Sequence, residues 1–257
     1  MHSPNQSIHL FLQTLPLAVT DRGKGRAFLV LHGGAGPASV SGLADALSSA
    51  GRVIVPTHPG FNGQPRPEWF RRVDDLALAY LALLERLDAE QVVLVGNSLG
   101  GWIAAEMALR HSPRVAGLVL INAVGIDTGN PERPIVNPVS VPPAERAALA
   151  FHDPQRFAIA PATPQAQAVM AENHKAMTVY AGAPYAHDPA LRQRLAAVTT
   201  PTLVLWGESD RIVDVSYGHR YAESIPGARF EAIPGAGHFP HIEQLNTVVT
   251  LIEHWSR

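Results

Sequence analysis

The stretch Val95-Gly96-Asn97-Ser98-Leu99-Gly100-Gly101-Trp102 sets one serine among three glycines. A serine hydroxyl becomes a useful nucleophile only when a neighbouring base accepts its proton. The chemistry to look for is covalent catalysis, with Ser98 as the attacking group and a base and an orienting acid elsewhere in the chain. The flanks indicate how the serine is held. Gln91-Val92-Val93-Leu94-Val95 is a short β-branched run that reads as a buried parallel strand. Trp102 to Leu109 has helix-forming composition and apolar residues at helical spacing. Ser98 therefore falls on a strand-to-helix turn. Gly96 and Gly100, two residues to either side, let the backbone bend there without side-chain clashes.

Gly96-x-Ser98-x-Gly100 in that setting is the pattern of a nucleophile elbow, and with it the chain resembles the α/β-hydrolase family carrying a cap domain. The resemblance implies an acid and then a histidine further along, in that order. The family's strand followed by Gly-x-x-Asp is matched by Leu203-Val204-Leu205-Trp206 with Gly207 and Asp210, which makes Asp210 the expected acid. Its rivals are Glu208, on the wrong beat of the pattern, and Asp214, better suited to opening the next helix. Gly237-His238, after the short run Phe230–Ile233, resembles the family's Gly-His before the last helix, so His238 is the expected base. His241 is its near rival and suits a capping or packing role. The spacing of His238, His241 and Glu243 also admits a metal reading, but no third histidine or acidic cluster accompanies it, and neither metal nor cofactor is expected.

The developing oxyanion needs donors. Leu31-His32-Gly33-Gly34-Ala35-Gly36-Pro37 directly follows an apolar run and resembles the family's His-Gly turn. Mapped onto it, the backbone N–H groups of Gly34 and Leu99 form the oxyanion hole. As a dinucleotide fingerprint the same segment fails, because Pro37 and Ser39 stand where that pattern needs other residues. His32 is expected to be a structural hydrogen-bonding group, and His58-Pro59-Gly60-Phe61 to border the site without chemistry of its own.

These groups need a scaffold to hold them. Apolar runs at Phe28–Leu31, Val53–Val55, Val92–Val95, Leu118–Ile121 and Leu203–Trp206 alternate with helical patterns near Val40–Ser49, Pro67–Leu87 and Leu99–His111. Alternation with fully apolar strands predicts an α/β fold, a mainly parallel central sheet with helices on both faces. Ile8 to Val19 is expected to add one or two antiparallel edge strands. The rhythm breaks after Asn122 and returns at Thr202. The expected organisation is a hydrolase core over 1–124 and 192–257, with a helical cap inserted at 125–191 above the carboxyl ends of the strands. Helical segments at Pro143–Phe151 and Pro164–Thr178 belong to it. Phe151, Phe157, Met170, Met177, Tyr180 and Tyr185, with His152, His174 and His187 nearby, either wall the pocket or pack the cap onto the core. Arg133, Arg146 and Arg156 are candidates to meet a substrate carboxylate, against a plain solvent-exposed role.

A formal net charge of −2 over 257 residues gives no sign of a nucleic-acid partner, and the absence of cysteine excludes a thiol nucleophile or disulfides. The N-terminal MHSPNQSIHLFLQ lacks a basic region followed by a long apolar core, and the longest apolar run, Leu76 to Leu84, is too short for a membrane span. A cytoplasmic protein acting on a small molecule is the expectation, with oligomeric state open. The leading reading is a serine hydrolase of a small carboxylic ester or lactone. The elbow and the His32-Gly33-Gly34 turn are also similar to those of meta-cleavage-product hydrolases, which cleave a carbon–carbon bond, so that reaction is the alternative. A receptor retaining the triad to bind a signal ligand is the reading from another class. Serine at the elbow argues against the haloalkane dehalogenase and epoxide hydrolase relatives, which carry aspartate there.

Overall fold

The computed structural model describes residues 5–11, 14–130, 134–158 and 163–256. Strands β1 (Asn5–Leu10), β2 (Leu15–Arg22), β3 (Ala27–Leu31), β4 (Arg52–Pro56), β5 (Val92–Asn97), β6 (Val115–Ile121), β7 (Thr202–Gly207) and β8 (Arg229–Ile233) form one sheet in the order β1-β2-β4-β3-β5-β6-β7-β8. The expected edge over Ile8 to Val19 is an antiparallel hairpin, β1 with β2, and β2 joins β4 antiparallel. All other pairings are parallel.

Alternation within the apolar strands divides the core. Phe28, Val30, Val93, Val95, Val119, Leu203 and Leu205 face one side, under α1 (Ser41–Leu47) and α10 (Leu245–Trp255). Leu29, Leu31, Leu94, Leu118, Leu120 and Val204 face the other, under α2 (Val73–Arg86), α3 (Leu99–Ala108) and α8 (Val215–Glu223). Each aliphatic side chain fully buried this way contributes about 1.5–3 kcal/mol. Helix α2 starts six residues later than the 67–87 pattern suggests. The Asp75 carboxylate accepts the N–H groups of Arg71 and Arg72 and so fixes the first turn at Val73.

Between β6 and β7 the chain carries α4 (Pro143–Ala150), α5 (Pro154–Phe157), α6 (Pro164–Ala181) and α7 (Leu191–Arg194). Gly125 pairs with His187 in an isolated bridge and accepts the N–H of Asp188, so the departing and returning chain meet there. The short helix α9 (Pro240–Glu243) completes the set. Among the described residues no helix is long and apolar enough to cross a membrane.

The elbow depends on close backbone approach. A Cβ at Gly96 would overlap the Gly100 carbonyl oxygen, and one at Gly100 would overlap the carbonyls of Leu31, which ends β3, and of His32 just after it. Gly100→Ala is therefore expected to destabilise the fold by roughly 3 kcal/mol, the upper range for forcing extra volume into a packed core. Gly42 offers the contrast. It lies exposed in α1, and a Cβ there would meet only Leu245, at 3.9 Å. Gly42→Ala is expected to be neutral or to stabilise by up to about 1 kcal/mol. Urea midpoints of the two variants check both signs.

Candidate active site

Ser98 sits between β5 and α3 with φ 54° and ψ −117°, a conformation that L residues adopt only when their surroundings enforce it. Backbone contacts, including these, enforce it. Ser98 N–H donates to Ile121 O, and the Ser98 carbonyl accepts from Gly101 and Val124. The turn brings the serine against the loop that follows β3, where a Cβ on Gly33 would lie 2.9 Å from that of Ser98.

Asp210 and His238 are both buried, and His238 Nδ1 donates to Asp210 Oδ2 at 2.7 Å. Asp210 Oδ2 also accepts from Asn122 Nδ2 at 2.7 Å, and Oδ1 accepts from the N–H groups of Ile212 (2.8 Å) and Val213 (3.2 Å). Every partner of this carboxylate is a donor, which suits an anion. With the proton on Nδ1, the Nε2 lone pair of His238 is left available as a base. The structure thus joins two of the three expected groups directly. Among the described residues Ser98 Oγ has no hydrogen-bond partner. Its neighbour makes the connection instead: Asn97 Nδ2 donates to His238 O and to Ile121 O, both at 3.1 Å.

The rivals are placed elsewhere. Asp214 is the N-cap of α8, its carboxylate accepting the Tyr217 N–H at 3.0 Å. Glu208 is exposed. His241 is buried, and its Nε2 donates to Ser39 O at 3.1 Å. Burial lowers its pKa to about 4. Both oxygens of Glu243 are occupied by backbone N–H groups.

The expected oxyanion donors, Gly34 N–H and Leu99 N–H, donate to no other group among the described residues. Leu99 is the first residue of α3, where an N–H has no partner within the helix. Gly34 owes its orientation to His32. His32 Nε2 accepts the His58 N–H at 3.1 Å, so its proton is on Nδ1, which donates to Gly33 O at 2.8 Å. In a trans peptide C=O and N–H point opposite ways, so holding Gly33 O aims the Gly34 N–H. His58 Nε2 donates to His32 O, and its Nδ1 accepts from the buried Tyr80 hydroxyl. Both imidazoles are neutral in this arrangement, and burial lowers that of His32 to about 4 and that of His58 well below its ordinary value.

Helix α6 lies over the same loops. Met177 packs on Gly34, with its Cγ 3.2 Å and its Sδ 3.3 Å from where a Cβ would be. Asn173 accepts the Asn62 N–H at 2.7 Å and donates to Ala35 O, and the Tyr180 hydroxyl donates to Pro59 O at 2.9 Å. Asn173, Met177 and Tyr180 therefore pack and bond α6 onto the core loops. Phe151 packs on Phe239, the residue after the base. Arg146 is committed to Pro138 O, Val141 O and His174 Nε2. Arg156 lies over the Phe157 ring, and Arg133 falls outside the described residues. A separate cavity of about 350 Å³ opens beside the acid loop, lined by Thr128, Arg211, Asp214 and Tyr217 among others, with neither Ser98 nor His238 in its wall. Sequence reading missed Asn122, Asn97, Tyr80 and the clamp made by Glu243. For Asn122 the signal was present, a polar residue ending an all-apolar strand.

The model of the Alpha/beta hydrolase family matches residues 28–250. The chain is 29% identical, over an alignment of 280 positions, to the 2-hydroxymuconate semialdehyde hydrolase of Pseudomonas putida, covering 99% of this chain and 97% of that one. Among solved structures, a meta-cleavage product hydrolase superposes with a TM-score of 0.79 at 25% identity, covering 97% of both chains. An esterase from Thermogutta terrifontis superposes with a TM-score of 0.76 at 26% identity, covering 98% of both. The expected α/β-hydrolase fold is the fold of these neighbours.

Proposed function

The chain belongs to the alpha/beta hydrolase family and is a hydrolase, and from that premise we propose that it cleaves a small carboxylic ester or lactone through an acyl-enzyme on Ser98, His238 and Asp210. The observation that carries this reading is the Asp210–His238 bond, which leaves Nε2 able to accept a proton, in a chain whose elbow serine is held in a strained turn. His238 takes the Ser98 proton as Oγ attacks the carbonyl carbon. The Gly34 and Leu99 N–H groups receive the oxyanion, each worth about 2.7–4 kcal/mol in the transition state. His238 then protonates the departing alkoxide and activates the water that releases the acid. Residues 125–191 are proposed as the cap over this site, closed at its base by the Gly125–His187 bridge, with 1–124 and 192–257 as the core.

Charge favours a neutral substrate. A muconate semialdehyde, the compound in the relative's name, carries a carboxylate. Helix α6 has no arginine, its lysine, Lys175, is exposed and paired with Glu172, and Arg146 is already bonded three times. Carbon–carbon bond hydrolysis is the second reading, favoured by that same relative and by the meta-cleavage product hydrolase among the structural neighbours. The test is turnover of p-nitrophenyl acetate and butyrate beside a vinylogous keto acid. The ester reading expects kcat/KM at least about tenfold higher for an ester, while the reverse order assigns the protein to carbon–carbon cleavage.

A further inference from the structure

Four acidic side chains are buried among the described residues: Asp21, Glu106, Asp210 and Glu243. Asp21 pairs with Arg52, Glu106 with Arg110 and Arg194, and Asp210 with His238. Glu243 is held by backbone alone. Its Oε2 accepts the Gly237 N–H at 2.6 Å and the His152 N–H at 3.2 Å, and its Oε1 accepts the N–H groups of His152 (2.9 Å) and Asp153 (3.0 Å). Burying a carboxylate without a cation is costly unless such bonds replace its water. What this carboxylate grips is informative. Gly237 immediately precedes His238, and His152 and Asp153 lie two and three residues beyond α4.

The grip is reciprocated. The last carbonyls of α4 take donors from the two catalytic loops: Ala150 O accepts His238 N–H at 2.7 Å, Leu149 O accepts Arg211 N–H at 3.1 Å, and Ala148 O accepts the Arg211 guanidinium at 2.6 Å. Around His238 all four neighbouring backbone groups are engaged. Gly237 N–H goes to Glu243, Gly237 O to Asn122, His238 N–H to Ala150 and His238 O to Asn97. Three of these partners are neutral amides, and Glu243 is the charged one, with bonds of the stronger charge-assisted kind. Gly237 leaves nothing but backbone to hold, because a Cβ there would overlap Ala150 O.

We infer that Glu243 is a positioning residue for His238, clamping the Gly237–His238 segment onto residues 148–153 so that the imidazole stays in line between Asp210 and Ser98. This arm of the insertion is then a fixed end of the cap. The inference rests on the serine-hydrolase reading for its kinetic consequence but not for its geometry.

The test compares Glu243→Gln with Glu106→Gln in the full chain. Glu106 is equally buried but bound to arginines remote from the base. The readouts are the rate at which an alkyl fluorophosphonate phosphonylates Ser98, with fluoride leaving and the hydroxyl proton passing to His238, and the low-field proton resonance of the His238–Asp210 bond. Glu243→Gln is expected to slow labelling about 10- to 100-fold and to shift or broaden the resonance, with kcat falling and KM changing less than about twofold. Glu106→Gln is expected to lower Tm at least as much while labelling at the wild-type rate. A folded Glu243→Gln protein with wild-type labelling and an unmoved resonance overturns the inference. If wild type itself is not labelled at Ser98, the serine-hydrolase reading fails, and the resonance alone decides the role of Glu243. Should Glu243→Gln not fold, Arg211→Ala loosens the same arm from its exposed side. A loss of a few-fold in labelling supports the clamp, and no loss overturns it.

Discussion

Ser98→Ala and His238→Ala are each expected to lower kcat on a nitrophenyl ester by roughly 10⁶-fold, and the double variant to lose no more than either alone. The losses overlap because the groups act in one step: without the base the hydroxyl is not activated, and without the hydroxyl there is no proton for the base to take. Asp210→Asn is expected to cost about 10⁴-fold. An amide in that position puts an NH₂ where His238 Nδ1–H now donates, which favours the tautomer whose Nε2 carries the proton and cannot accept one from Ser98. Asp214→Asn removes charge from a helix cap and is expected to cost stability only, on the order of 1 kcal/mol. Steady-state kinetics with a circular-dichroism check on folding separates these outcomes. Full activity in Asp210→Asn with loss in Asp214→Asn would transfer the acid role. Additive losses in the serine–histidine double variant would break the proposed mechanism.

What could be read from the sequence follows from how local each constraint is. Ser98 is recognisable because the elbow requires glycines two residues to either side, where a Cβ would overlap the backbone of Gly100 and of β3. Asp210 and His238 are recognisable because each follows a strand at a short distance in a family pattern, Asp210 after the apolar β7 and His238 after the short β8. The groups that hold them are not local. Asn122 meets Asp210 across 88 residues of chain, and Asn97 meets His238 across 141, so no window of sequence contains both partners. Glu243 lies only five positions after His238, yet two of its three partner residues, His152 and Asp153, are in the insertion. The late start of α2 has the same origin on a smaller scale. Apolar spacing marks the helix, but the Asp75 side chain decides where it begins. The sequence marks His32 as a structural hydrogen-bonding group and the His58 loop as a neighbour of the site, but only the structure shows that the two rings stack at a centroid distance of 3.7 Å and bond to each other's backbone.

Those buried histidines make the fold sensitive to acid. His32 and His241 have folded pKa values of about 4 against an ordinary 6.5, lowered by burial, and His58 is displaced in the same direction. A histidine whose pKa is depressed on folding is neutral in the native state and charged in the unfolded chain between the two values. The unfolded state therefore binds more protons there, and stability falls as pH is lowered from 6.5 towards 4. Each such group costs about 2 kcal/mol by pH 5 and roughly 3 kcal/mol by pH 4 relative to neutral pH. His32 and His241 together remove about 4 kcal/mol by pH 5, a large part of the 5–15 kcal/mol typical of a folded domain. Urea unfolding followed at pH 7 and pH 5 measures this directly, and it is independent of the titration that governs turnover because no substrate is involved. His241→Gln retains an amide able to donate to Ser39 O but cannot be protonated. It is expected to be less stable than wild type at pH 7 and to lose about 2 kcal/mol less than wild type between pH 7 and pH 5. An unchanged pH dependence in this variant would mean that His241 takes up its proton without unfolding, through a local opening near Ser39 that spares the core.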